Sequence, residues 1–198
     1  MSVRAWRRAM SRADGQSMVE FAMVLPLILI ALLGVVEMGY ALLHQHVVTK
    51  LAREGSNLIS RDTSLLDAAT AMQTMATAPV NFASGSTLIL SVIRQGATTG
   101  TSNYGKNIVY QRYSYGTLSA QSALTTAGTG SYGGAPDFQA ANSDNDTNLQ
   151  VTNLPASLAL TPGSYVYVTE IFTTHTLITP LNRFGITVPQ TLYSIAYF

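Results

Sequence analysis

Cysteine is absent from the 198 residues, so no disulfide and no cysteine-bound metal or cofactor can form. Charge is scarce as well. Asp, Glu, Lys and Arg make up 11% of the chain, against about a quarter in ordinary soluble domains. Only three histidines occur. His44 and His46 stand two apart and cannot share one helix face, and His175 lies among threonines in a strand-like stretch, so no metal site is expected. The chain carries no Gly-x-Ser-x-Gly, no phosphate-cradling glycine loop and no His-Glu-x-x-His. Asp144, Asp146 and Asn148 imitate the first ligands of a calcium loop. Leu149 stands where that loop needs Gly and Pro155 where it needs Glu, so a solvated acidic turn is the better reading. The expectation is a protein that is no enzyme and has no cofactor.

What charge there is lies unevenly. Residues 1–15 hold four arginines (Arg4, Arg7, Arg8, Arg12) and one Asp, net +3, and the remaining residues hold seven basic against nine acidic side chains, net −2. A basic tail can mark a nucleic-acid partner. Here it abuts an apolar run, and the positive-inside rule accounts for it better, so no nucleic acid is expected. From Phe21 to Val36 there is no charged side chain. Glu37 interrupts, and Met38 to Leu43 resume the apolar character. Residues 21–43 exceed the roughly 20 residues that cross a bilayer, and are too long for the apolar core of a cleaved secretory signal, about 7–15 residues.

A carboxylate beside such a helix is costly, about 2.5–3.5 kcal/mol at mid-membrane and less near the interface. Glu20 follows Gly15 by five positions. If the chain is cut after Gly15, Gln16 becomes a free α-amine, a cation that Glu20 of the same chain or a neighbour can pair with. Glu37, near the exit side, can make an intramembrane or an interfacial contact. At 100° per residue the two acids stand about 100° apart around the helix and do not share a face.

The string Gly15-Gln16-Ser17-Met18-Val19-Glu20-Phe21 resembles the type IV prepilin processing site: Gly, four residues, then Glu and an aromatic. Further on, Leu25-Pro26-Leu27, Gly34-Val35-Val36-Glu37-Met38-Gly39 and Ala52-Arg53-Glu54-Gly55 are similar to the TadE-like pseudopilins of the tight-adherence (Tad, or Flp) pilus system. The resemblance covers roughly residues 15–56. It implies cleavage between Gly15 and Gln16 by a membrane aspartyl prepilin peptidase, with Glu20 and Phe21 serving recognition and assembly. It also implies a minor pseudopilin whose partners are the major pilin, other minor pseudopilins, the inner-membrane assembly platform and the lipid bilayer. The rival expectation is a signal-anchored extracytoplasmic binding or adhesin domain that never enters a filament.

The expected organisation is a leader over 1–15, a transmembrane and assembly helix over 16–43 and an extracytoplasmic head over 44–198. The N-terminus would be cytoplasmic in a single-pass protein of the inner membrane, which could also enter the pilus. The helix should run on to about residue 60. About 45 residues at 1.5 Å each give roughly 67 Å, so its second half should leave the membrane and bury the stripe Val47, Val48, Leu51, Ala52, Gly55, Leu58 and Ile59.

A short helix is expected over 64–78, capped by Ser64, with a stripe through Leu65, Ala68, Ala69, Met72, Met75 and Ala76, and stopped by Pro79. Strands are expected over Thr87–Arg94, Lys106–Tyr115, Tyr165–Leu177 and Thr191–Phe198. The third should be central, and a bulge is expected between Tyr110 and Tyr113. Residues 116–164 are rich in Ser, Thr, Gly and Asn. They either hold short elements without periodicity or make a mobile excursion. The fold class is α+β, a pilin-like plan with an antiparallel sheet of about four strands.

Overall fold

In the computed structural model a single helix, α1 (Val3–Ile59), carries the N-terminal apolar run and continues without a break past Pro26. The structure describes residues 3–186 and 189–198, with side chains from Gly15 onward. The side chains of Arg4, Arg7, Arg8 and Arg12 therefore lie outside those described. A second helix, α2 (Leu65–Met75), and four strands follow: β1 (Ser86–Gln95), β2 (Asn107–Gly116), β3 (Tyr165–Thr174) and β4 (Thr191–Tyr197). The strands form one antiparallel sheet in the order β2-β1-β3-β4, so the class is α+β with β1 and β3 central.

The chain divides into two compact units, Met1–Leu42 with Thr176–Val188, and Leu43–His175 with Pro189–Phe198. In the first, the apolar stretch of α1 is joined by a segment that contains a 3-10 turn, Pro180–Phe184. Gly185 closes that turn in the left-handed conformation, which an L side chain would resist.

In the second unit the C-terminal part of α1 buries one stripe. Val48, Leu51, Ala52 and Ile59 pack with Leu65, Ala68, Ala69 and Met72 of α2 and with Leu88, Leu90, Val92 and Ile171 of the sheet. Each of the Val, Leu, Ile and Met side chains among them contributes about 1.5–3 kcal/mol by leaving water, and the alanines less. Gly55 lets α1 approach closely, for a Cβ there would meet the Met72 Sδ at 2.6 Å and the Thr169 Cγ2 at 2.7 Å.

Ser64 caps α2, accepting from the Asp67 N–H at 3.1 Å. The helix ends at Met75, short of the expected 78, and Met75 is exposed rather than part of the stripe. The chain leaves the helix at Ala76, whose backbone is already extended, and the Val80 N–H donates to the Thr77 carbonyl at 2.9 Å. The third strand stops at Thr174 rather than Leu177, because β4 supplies ladder partners only as far as Thr191, opposite Thr174. A bulge is present, at Tyr110 itself rather than between Tyr110 and Tyr113. Val92 pairs with Gln111 and Ile93 with Val109, which leaves Tyr110 as the extra residue of β2.

Residues 116–164 are organised without long elements. They hydrogen-bond the outer edge of β2: the Val151 N–H donates to the Asn107 carbonyl (2.8 Å), the Ala140 N–H to the Tyr110 carbonyl (2.8 Å), and the Arg112 N–H to the Phe138 carbonyl (3.2 Å). The same excursion covers the sheet face away from the helices, where Leu124 packs with Ile93, Val166 and Val168. An edge closed in this way offers no template for pairing with another chain. It also explains why β1 is buried over its first eight residues, on both faces.

Candidate functional site

The N-terminal stretch exposes its apolar side chains. Met18, Phe21, Met23, Leu27, Leu32, Val35 and Met38 all present large apolar surface, and this helix is long and apolar enough to cross a membrane. Such a surface is stable only against lipid or against other apolar helices. Gly15 lies within the helix with open space where a side chain would be. One turn on, the Gln16 side-chain amide donates to Glu20 Oε1 at 2.9 Å. Residues 16 and 20 therefore share a face, the relation needed for a carboxylate to meet a group at position 16. Phe21 beside them is exposed.

Glu37 is in a different situation. It is 2% exposed, and its Oε2 accepts three hydrogen bonds, from the Ile178 N–H (3.2 Å), the Thr179 N–H (3.0 Å) and the Thr179 hydroxyl (2.6 Å). Backbone donors from an irregular segment thus replace the water that a carboxylate loses inside an apolar stretch. The contact spans about 140 positions of sequence, and no local pattern announces it.

The histidines sort differently from their sequence order. His46 is exposed, whereas His44 and His175 are buried with their Nδ1 atoms 3.3 Å apart and their rings edge to face. Asp144 accepts from Arg94 at 3.1 Å, and Asp146 accepts from the Asn148 N–H at 3.0 Å. The acidic turn is thus tied into the fold by its own chain. Among the described residues no three His, Asp or Glu side chains converge as metal ligands would.

Sequence reasoning missed Glu170. It is fully buried on the sheet face away from the helices, where it accepts from the Ser122 hydroxyl, the Ala123 N–H (2.7 Å) and the Tyr193 hydroxyl (3.1 Å). Arg112 joins the cluster by donating to Ser91 (3.1 Å) and Ser122 (3.4 Å). Burial, the Glu170 charge and the hydrogen bond to it all push the Tyr193 phenol well above its ordinary pKa. The only available signal was an acid inside the otherwise uncharged run Tyr165–Thr174. The cluster fastens the excursion to the sheet, a structural duty.

No curated protein and no solved structure matches the chain significantly. Over residues 15–57, the stretch of α1 from Gly15 to just short of its end, the chain matches the family of TadE-like proteins, structural components of Tad pilus systems.

Proposed function

We propose that the chain is a minor pseudopilin of a Tad-type pilus, stored in the inner membrane by α1 and released for assembly by a prepilin peptidase that cuts between Gly15 and Gln16. The observation that carries this reading is where the family match begins, at Gly15 itself, with Glu20 five residues on. In this reading residues 1–15 are a leader, 16–43 the membrane and assembly helix, and 44–198 an extracytoplasmic head. The leader's arginines hold the N-terminus in the cytoplasm. After cleavage the Gln16 amine pairs with Glu20 within one chain or between neighbours, and the apolar surface of α1 exchanges lipid for the helices of the major pilin and other minor pseudopilins on the assembly platform. Support comes from the exposed apolar side chains of α1 and from the shared face of residues 16 and 20.

The deciding experiment is the mature N-terminus, read by intact mass or N-terminal sequencing of membrane-extracted protein. A chain starting at Gln16 is the expected result. A chain retaining Met1, or starting beyond Leu43, overturns the pseudopilin reading, and the first of these outcomes favours a signal-anchored binding or adhesin domain.

A further inference from the structure

We infer that the segment from Thr176 to Ile186 is a lipid-contacting strap, which Glu37 pins against α1 so that it dips into the outer leaflet of the bilayer. The inference rests on α1 spanning the membrane, as in the reading above.

Depth is the first consideration. Glu37 lies sixteen residues beyond Phe21, about 24 Å along the helix at 1.5 Å per residue, within a hydrocarbon core of about 30 Å. Six more uncharged apolar or aromatic positions follow it, Met38 to Leu43. Whatever covers the Glu37 carboxylate therefore lies at the depth of the acyl chains or at their upper boundary.

The second consideration is backbone satisfaction, because irregular backbone at that depth needs partners of its own. Two of the strap's amides, those of Ile178 and Thr179, donate to Glu37. The Gly185 N–H donates to the Asn182 carbonyl at 3.2 Å and the Ile186 N–H to the Leu181 carbonyl at 3.3 Å, within the 3-10 turn. The acid and the strap thus solve one another's problem: a carboxylate without water gains donors, and donors without water gain a carboxylate.

The third is the outward surface. Ile178, Phe184 and Ile186 are 53%, 55% and 38% exposed, while Leu181 faces inward. In the same unit Val35, Val36, Met38 and Leu42 of α1 are exposed too. A soluble loop of this length would present polar side chains. This one carries a single charge, Arg183, next to Phe184. An apolar surface with one long cationic side chain fits a phospholipid leaflet, with the aliphatic stem among the chains and the guanidinium at the phosphates.

Bromolipid quenching of a single tryptophan tests this on the full chain. Trp6 is the one native tryptophan, so Trp6→Phe gives a silent background. Three reporters are compared in vesicles of phosphatidylethanolamine and phosphatidylglycerol that contain lipids brominated at shallow or deep acyl positions: Phe184→Trp on the strap, Leu32→Trp on the exposed middle of the helix, and Thr99→Trp on an exposed loop. The expected result is shallow quenching of Phe184→Trp, deep quenching of Leu32→Trp and none of Thr99→Trp. Adding Glu37→Ala should drop Phe184→Trp to the level of Thr99→Trp and leave Leu32→Trp unchanged. If Leu32→Trp is quenched and Phe184→Trp has the emission of a water-exposed indole, the strap proposal is overturned while the membrane helix stands. Blue-shifted but unquenched Phe184→Trp emission also overturns it, and assigns the surface to another protein chain. If Leu32→Trp escapes quenching, the membrane reading fails and takes the strap with it.

Discussion

The Tyr193 hydroxyl donates to Glu170 Oε1 at 3.1 Å, from β4 to a fully buried carboxylate on β3. The phenol is held neutral by its burial and by the acid it serves. Its pKa is therefore raised, and Tyr197 and Tyr167 are shifted in the same direction, both chiefly by burial.

This relationship makes stability depend on alkaline pH. A phenol whose folded pKa exceeds its unfolded value of about 10 contributes stability that is complete below that value, and the contribution is lost as pH rises through the raised one. In a tyrosinate absorbance titration of the folded chain in detergent, one phenol should ionise after the others, and it should disappear in Tyr193→Phe. That variant should also lose about 1–2 kcal/mol at neutral pH by leaving the acid one donor short. An unchanged late step in Tyr193→Phe would show that another phenol is responsible.

Gly55 gives a packing prediction within the part of α1 that the family match covers. A side chain there presses on Met72, whose thioether can swing away, and on the Thr169 methyl, which is fully buried on β3. Gly55→Leu should cost about 1–3 kcal/mol through overpacking. In Gly55→Ala a helix-propensity gain of about 1 kcal/mol works against a smaller clash. Gly39→Ala, where the added methyl meets nothing within 4 Å, should leave thermal unfolding unchanged or slightly raised. Equal melting temperatures for Gly55→Leu and Gly39→Ala would refute the close approach of α1 to α2 and β3.

Cutting and assembly should separate by mutation. Gly15→Leu should block cleavage and keep the full leader attached. Glu20→Gln should insert into the membrane and be processed, because a neutral amide is no harder to bury than a carboxylate, yet it should fail to join its partners. Co-purification with the major pilin, with mature mass measured alongside, distinguishes the two. Wild-type association of processed Glu20→Gln would reduce Glu20 to an ordinary interfacial acid.

Topology can be read with a single thiol, since the chain has none of its own. Cysteine placed at exposed Thr99 should react with a membrane-impermeant maleimide on cells whose outer layer alone is permeabilised. Labelling that requires rupture of the inner membrane would reverse the proposed orientation.

The α1 helix was legible because its signals are local. The apolar run, the Gly15-to-Glu20 spacing and the later stripe through Val48, Leu51, Ala52 and Ile59 all follow from neighbours in sequence and the 3.6-residue period. The Ser64 cap, the four strands and the presence of a bulge in β2 were legible for the same reason, since each is a pattern a few residues long. The far end of α2 misled at Met75, whose apolar spacing fits the stripe but whose side chain is exposed, since the backbone turns extended at Ala76. Residues 116–164 gave no period because they pair singly with the edge of β2 instead of forming a ladder.

What tertiary structure alone decided is where the polar groups go. Glu37 finds Thr179, His44 finds His175 and Glu170 finds Ser122 across separations of 142, 131 and 48 positions. A buried carboxylate or imidazole needs a partner in space to replace the water it gives up, and its own sequence neighbourhood does not say which one. Sequence determined that this chain has a membrane-competent helix with an acid at each end of its first apolar run. Folding determined that the second acid is held by a distant strap, because only closure of the chain brings the amides of Ile178 and Thr179 to its carboxylate.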